Sequence, residues 1–208
     1  MYDIEKAVKK VFYISRYDIS LSGDVINLPD NIKLSSGFIV GICFRDTRHK
    51  EKFINIFKNS DTKHLIKRLL GEERNSGNFI DYIDDNLIES SLSVEEYLKF
   101  YGMIKNIYDE DFSKKMKRLL YKINLFDKKD ISMRDLKRSQ QKSVRVLASC
   151  MNNLLLFVGN NLLDEMDSLE KSRLYDVLSN CLKEIAVCIV IEDSKDTLSG
   201  FADVIYEV

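Results

Sequence analysis

Residues 37–57 read Gly37-Phe38-Ile39-Val40-Gly41-Ile42-Cys43-Phe44-Arg45-Asp46-Thr47-Arg48-His49-Lys50-Glu51-Lys52-Phe53-Ile54-Asn55-Ile56-Phe57. The first eight form one continuous apolar stretch. A strand with a wet face alternates apolar and polar residues. An unbroken run therefore predicts a strand covered on both faces, as in a parallel sheet. A polar turn follows. From Lys50 onward, Phe53, Ile54, Ile56 and Phe57 suit a short amphipathic helix. Buried strand, turn and helix in succession begin a parallel α/β unit.

The same alternation returns toward the C-terminus. Residues 154–158 read as a second buried strand, and Leu174, Val177, Leu178 and Leu182 mark a helix over about 169–184. A third buried strand covers 187–191, a short helix about 194–201, and a last strand 204–208. Between these units the pattern is helical. Ser93-Val94-Glu95-Glu96 is a capping box, in which the hydroxyl bonds a free N–H and the glutamate reaches back three residues. Tyr97, Leu98, Tyr101 and Ile104 continue that helix. Further helices are expected over about 111–124 and 138–151. Residues 1–45 read as β-rich. Val8, Val11 and Tyr13, then Ile19 and Leu21, then Val25, Ile26 and Leu28 make short strands broken by Gly23 and Asn31. The expectation is one α/β domain over 1–208. Its core takes in residues 1–85 and 152–208, and a helical subdomain, 86–151, is inserted between them.

Bulk properties narrow the function. The chain has 208 residues, 45% of them hydrophobic, which suffices for one domain with a real core. Its formal net charge of -1 gives no basic excess to hold nucleic acid or an anionic membrane. The Lys114, Lys115, Lys117 and Arg118 cluster, beside Asp109, Glu110 and Asp111, reads as a solvated helix face. Cys43, Cys150, Cys181 and Cys188 form no CxxC pair, which argues against a zinc or thioredoxin-type centre and for buried free thiols in a reducing compartment. The opening MYDIEKAVKK has no apolar core of a signal peptide, and the apolar runs are too short to span a bilayer. A cytoplasmic protein is expected, meeting a membrane only through a partner.

Residues 37–57 resemble, without a gap, the phosphate-binding segment of ATP-binding-cassette (ABC) ATPases, in which a strand leads into G-x-x-x-x-G-K-[ST] and a helix. On that frame Lys50 takes the lysine, Phe44 and His49 the glycines, and Glu51 the Ser/Thr. The resemblance runs over nearly the whole chain. Residues 80–85 are similar to the strand into the Q-loop, with Asp85 near the glutamine. Leu92-Ser93-Val94-Glu95-Glu96-Tyr97-Leu98-Lys99-Phe100-Tyr101 is similar to L-T-V-x-E-N-L-x-F-Y. Leu136-Lys137-Arg138-Ser139-Gln140-Gln141-Lys142 falls on the signature frame L-S-G-G-Q-K-Q. Residues 154–161 lie over the Walker B strand, and Met166-Asp167 over the D-loop. Counting back from Asp167 puts Asn160 at the Walker B aspartate and Asn161 at the catalytic glutamate. Counting back from Ala202-Asp203 puts Asp193 at the switch histidine.

The resemblance implies a P-loop NTPase-like ABC ATPase fold, with a mainly parallel core sheet, an N-terminal antiparallel β part and an inserted helical subdomain. It also implies lost chemistry. A phosphate loop needs glycines so that backbone N–H groups turn inward, and a non-glycine residue at positive φ costs roughly 1–2 kcal/mol. Glu51 faces the phosphate charge, and a like-charge pair across about 4 Å costs about 4 kcal/mol at an effective dielectric near 20. The amides of Asn160 and Asn161 are no general bases. No catalytic residue is expected, with Asn160, Asn161 and Asp193 standing at the lost positions.

The cofactor-binding candidates are Lys50, Glu51 and Asp85, together with the signature positions Lys137, Arg138, Ser139 and Gln140. ATP stays open, and neither Mg²⁺ nor another metal is expected. Asp164 and Glu165 would serve as metal ligands only after the loop reorganised. Lys50 reads either as a residual phosphate contact or, preferentially, as an exposed lysine at a helix start. Lys137 and Arg138 either meet a phosphate or point to solvent. His49 and His64 have no catalytic partner. The resemblance implies a membrane transport subunit, a second ABC ATPase chain, or both, as partners, with Tyr97, Phe100 and Tyr101 on the docking face or in the core. A pseudo-ATPase or docking subunit is the first reading. An ATP-binding subunit completed by a partner and a soluble regulatory interaction protein are the alternatives.

Overall fold

The computed structural model of the protein describes residues 11–14, 32–58, 80–105, 111–152, 154, 156–183 and 186–208. The expected strands at Ile19–Leu28, with Gly23 and Asn31, and also His64, lie outside them. Strands β1 (Val11–Ile14) and β2 (Ile32–Ser35) pair antiparallel. β3 (Ile39–Cys43), β4 (Ile80–Ile83), β5 (Leu156–Asn160), β6 (Val187–Glu192) and β7 (Val204–Glu207) make a five-stranded sheet ordered β4-β5-β6-β3-β7. Every neighbouring pair in that sheet is parallel. The continuous apolar runs explain this. All five residues of β3 and all six of β6 are buried, so both sheet faces must be covered.

Pleating divides each run between two cores. Val40, Ile42, Val187, Ile189 and Ile191 face one side. There they meet β2 and helix α1 (Thr47–Lys58), whose Phe53, Ile54 and Phe57 are buried. Phe44, Phe53 and Phe57 pack ring to ring, with centroids 5.2 Å apart in each pair. Ile39, Cys43, Cys188 and Val190 face the other side. The helices α2 (Val94–Ile104), α3 (Phe112–Lys122), α4 (Arg138–Cys150), α5 (Ser168–Cys181) and α6 (Lys195–Leu198) supply that cover. Gly41 permits a close approach of this cover to β3, because a Cβ there would lie 2.9 Å from the Ala202 Cβ.

Between β4 and β5 the described chain runs through α2, α3, two short 3₁₀ turns and α4. Ser93 caps α2 as expected. Its hydroxyl accepts the Glu96 N–H at 3.2 Å, and the Glu96 carboxylate accepts the Ser93 N–H at 2.8 Å. Ser93→Ala is expected to lose about 1 kcal/mol of stability, read as a lower urea midpoint at unchanged slope. Asp167 and Glu170 form an equivalent box at the start of α5. Of the three aromatic residues weighed on α2, Tyr97 and Tyr101 pack against the core and Phe100 is exposed.

The sequence expectation has no strand at β2 (Ile32–Ser35), and two elements beside the site differ from it in their bounds. β5 ends at Asn160, two residues later than expected, because an apolar run does not mark where pairing stops. Helix α1 starts at Thr47, three residues before Lys50. Asp46 supplies the reason: its carboxylate accepts the Arg48 N–H at 2.8 Å, and its carbonyl accepts the Lys50 N–H at 3.1 Å.

Candidate functional site

The carboxyl ends of β3, β5 and β6 point the same way, because the sheet is parallel. In open α/β sheets this edge is where ligands gather. The first turn of α1 closes it. A cleft of about 450 Å³ opens here, lined by Lys50, Glu51, Lys58, Asn160, Asn161 and Asp193 among others. Glu51 is exposed on its rim.

Lys50 is buried, with 6% of its surface exposed, which corrects the expectation of a solvent-facing lysine. Its ammonium donates to the Asn161 amide oxygen and to the Asp193 carboxylate, each at 2.5 Å. A buried ammonium needs such partners, since an unpaired charge away from water is strongly unfavourable. Asp193 itself is largely exposed, with 75% of its side chain open to solvent. Phe44 and His49 have no strained backbone: among the described residues, those with positive φ other than glycine are Asn124, Asn161 and Glu165. Helix α1 carries Lys50 in its first turn.

Asn161 turns the chain back at the end of β5 with φ 49°, a left-handed conformation that asparagine tolerates well. Its two oxygens serve two lysines. The side-chain oxygen accepts from Lys50, and the carbonyl accepts from the Lys142 ammonium at 2.6 Å. Asn160 ends β5 with its amide against the Tyr82 phenol, whose pKa burial pushes well above its usual range.

Lys142 links this cleft to a second cluster. It is buried at 2% exposure in the middle of α4 and pairs with the Asp85 carboxylate at 2.7 Å. Asp85 also accepts from Arg138 at 2.7 Å, and Arg138 reaches Glu165 at 3.4 Å. Asp85 is therefore drawn to α4 and is not among the residues lining the Lys50 cleft. Arg138 neither points freely to solvent nor faces the cleft. Ser139 donates to the Glu170 carboxylate at 3.2 Å, and the Gln140 side-chain oxygen accepts from Lys128 at 3.2 Å. Lys137 is exposed. Next along the same face of α4, Arg145 donates to the Asp84 carbonyl at 2.7 Å, and the Gln141 side chain accepts the Ile88 N–H at 2.7 Å. These bonds fasten the segment after β4 to α4.

Sequence reasoning missed Glu192, which is buried at 2% exposure where β6 ends. Its carboxylate accepts the Leu163 N–H at 2.7 Å. Burial pushes its pKa up to about 7, against the opposing pull of that N–H, Lys50 and Lys142. The signal was a charge closing a run buried on both faces.

No family model matches the sequence, and no curated protein is recognisably similar to it. Solved structures are similar in shape. An ATP-binding subunit of an ABC transporter matches with a TM-score of 0.70 and 13% identity, over 96% of this chain and 85% of that one. The cbiO1 protein of Clostridium perfringens, part of the ABC transporter complex cbiONQ, matches at 0.66 and 16%, over 98% and 85%. An ATP-binding cassette of an ABC transporter in its ADP conformation matches at 0.61 and 15%, over 96% and 86%. The parallel sheet and its order define a P-loop NTPase-like α/β fold. Within that class, the chain has the fold of the ATP-binding subunits of ABC transporters.

Proposed function

We propose that the protein is an ABC-type ATP-binding subunit that no longer hydrolyses ATP and acts as a pseudo-ATPase partner or docking subunit of a membrane transporter. The observation that carries this reading is the closed contact of Lys50 with Asp193 and Asn161. The ammonium that the resemblance assigns to phosphate is already neutralised by a carboxylate of the same chain. With α1 starting at Thr47, the backbone N–H of Lys50 is engaged by the Asp46 carbonyl and does not turn toward a phosphate. Magnesium fits no better: the strand end offers neutral amides at Asn160 and Asn161, and of the two carboxylates lining the cleft Asp193 is taken up by Lys50 and Glu51 stands exposed on the rim, where hard cations favour converging carboxylates. The residues present do not fit a Mg²⁺–nucleotide group, and no hydrolytic step is derived through one.

Two of the signature positions are engaged within the chain as well, while Lys137 stays exposed. Arg138 is held by Asp85 and Glu165, and Ser139 by Glu170. This weighs against the reading in which the chain completes a partner's ATP site through Arg138 and Ser139. The proposed organisation keeps the α/β core at 1–85 and 152–208 and the helical subdomain at 86–151. Leu87, Phe100, Met103 and Ile104 are exposed around α2, and we assign this apolar surface to the membrane subunit. No described helix is long and apolar enough to cross a membrane, so attachment at the inner face of the membrane would come through that partner.

Isothermal titration of the purified chain with ATP, with and without Mg²⁺, tests the proposal. The expected result is no binding heat up to about 1 mM, a standard free energy no better than about -4 kcal/mol. Micromolar, Mg²⁺-dependent binding would overturn it and make partner-completed catalysis the leading reading.

A further inference from the structure

Helix α3 turns its charge outward. Its buried side is Phe112, Met116, Leu119 and Leu120. Lys114, Lys117, Arg118, Tyr121 and Lys122 are exposed, at spacings of three and four that put them on one side of the helix. Lys115 is half-buried beside them. Residues 112–126 hold these five cations and no acidic residue. The chain as a whole is at -1, so the excess is local and is hidden in the total. Among the described residues, the one ion pair on α3 joins Lys114 to Asp111 at 3.2 Å, with both side chains largely exposed. Exposed pairs of this kind contribute little.

Folding does not account for the stripe. Lys114 and Lys115 stand in the first turn, where the helix dipole disfavours cations and where no acid offsets them. Lys114, Arg118 and Lys122 repeat at intervals of four, and like charges at that spacing repel. Lys122 alone, in the last turn, gains from the dipole. An arrangement that costs the isolated helix stability is complementary to an anionic surface. Tyr121, 63% exposed, lies within the stripe. Its ring stacks on Phe126, with centroids 4.0 Å apart and planes 15° from parallel. A fixed ring with a polar tip is the kind of side chain that settles at the boundary between lipid and water.

We propose that this face of α3 binds anionic phospholipid headgroups at a bilayer surface, through Lys114, Lys117, Arg118 and Lys122, with Tyr121 as the interfacial anchor. The choice of lipid over another polyanion rests on the reading that assigns the apolar surface around α2 to a membrane subunit. A Cβ at Gly102 would lie 2.6 Å from the Phe112 ring. The end of α2 that exposes Phe100, Met103 and Ile104 is thus packed on the start of α3. Where α2 meets a membrane subunit, α3 is carried close to the lipid around it. Each lysine or arginine near an anionic surface strengthens attachment roughly fivefold, so four give an effect on the order of several hundredfold.

Co-sedimentation of the full chain with vesicles tests this, and it needs neither nucleotide nor the transport partner. Vesicles of equal parts phosphatidylglycerol and phosphatidylcholine are expected to carry the protein down at low salt. Vesicles of phosphatidylcholine alone are not. Salt at about 1 M, where the screening length is about 3 Å, releases it. The triple variant Lys117→Gln, Arg118→Gln, Lys122→Gln binds roughly a hundredfold more weakly. The chain has no tryptophan, so Tyr121→Trp places a single reporter in the stripe. Its emission shifts to the blue on the phosphatidylglycerol vesicles alone. No sedimentation with those vesicles at low salt overturns the proposal. So does undiminished affinity in the triple variant, or Trp emission unchanged by vesicles that bind. Release from the vesicles by RNA at matched phosphate concentration also overturns it, and gives the face to nucleic acid. The comparison of the two vesicles with the wild type stands even where a variant folds poorly. Titration with ATP reads the cleft and not this helix, so a failure here leaves the pseudo-ATPase reading standing.

Discussion

At pH 8 the Glu192→Gln protein is expected to be more stable than the parent by about 2–3 kcal/mol, a melting point higher by roughly 5–10 °C. Glu192 has a folded pKa of about 7, raised by burial from an ordinary value of 4.5. The folded state therefore holds this proton more tightly than the unfolded chain. The stability from the protonated form is fully present below about pH 4.5 and is lost as pH rises through about 7. Each tenfold gain in proton affinity on folding is worth about 1.4 kcal/mol. Glutamine stays neutral throughout and keeps an oxygen for the Leu163 N–H, so its advantage grows across that window and closes below it. Urea unfolding of both proteins at pH 5 and pH 8 gives the comparison. Equal differences at the two pH values would sink this account of Glu192.

Lys142→Met is expected to lose about 3 kcal/mol, a drop of about 10 °C in melting temperature. Methionine keeps the unbranched stem and fills much of the space, so the loss isolates the ammonium. That ammonium holds one oxygen of Asp85 at 2.7 Å and the carbonyls of Asn161 and Asp164 at 2.6 and 3.3 Å. Removing one partner of a buried pair leaves the other without its counter-charge, and this dominates over the pair's modest net worth. Asp85 keeps Arg138 on its other oxygen and is partly exposed, which holds the loss below the upper range for buried pairs. Lys137→Met, at an exposed position five residues earlier, should change stability by less than about 0.5 kcal/mol. Differential scanning calorimetry of the two variants separates them, and similar losses would mean that the contacts of Lys142 carry no special weight.

What sequence reading recovered was carried by neighbours along the chain. The apolar runs at β3 and β6 specified strands covered on both faces, and Ser93 with Glu96 specified where α2 begins. These signals span a handful of residues and need no tertiary information. The α/β class and the run of helices between β4 and β5 followed from them. The site was less legible, because its contacts join distant positions. Lys50 finds Asn161 and Asp193 at separations of 111 and 143 residues, and no local pattern distinguishes it from an exposed lysine. The early start of α1 was closer to hand, since Asp46 before Thr47 is an ordinary cap. The family frame marked Lys50, Asn161 and Asp193 as separate positions and not as one closed contact. Lys142 and Glu192 are single charges inside apolar patterns, and that incongruity is the trace that sequence offers of a buried ion.

The grip of Lys50 on Asn161 and Asp193 bears on whether such a protein could evolve back into a hydrolase. On the proposed reading, each ancestral letter restored alone moves downhill in stability. A glutamate at Asn161 would sit in left-handed backbone, at roughly 1–2 kcal/mol. A histidine at Asp193 would strip Lys50 of its counter-charge. A glycine at Phe44 would empty the ring stack with Phe53. None of these alone would build a glycine-type loop ahead of Lys50. On that reading reversion would require several simultaneous changes, and the lineage would behave as a ratchet, free to diversify at its surfaces while the proposed former motor site stays shut.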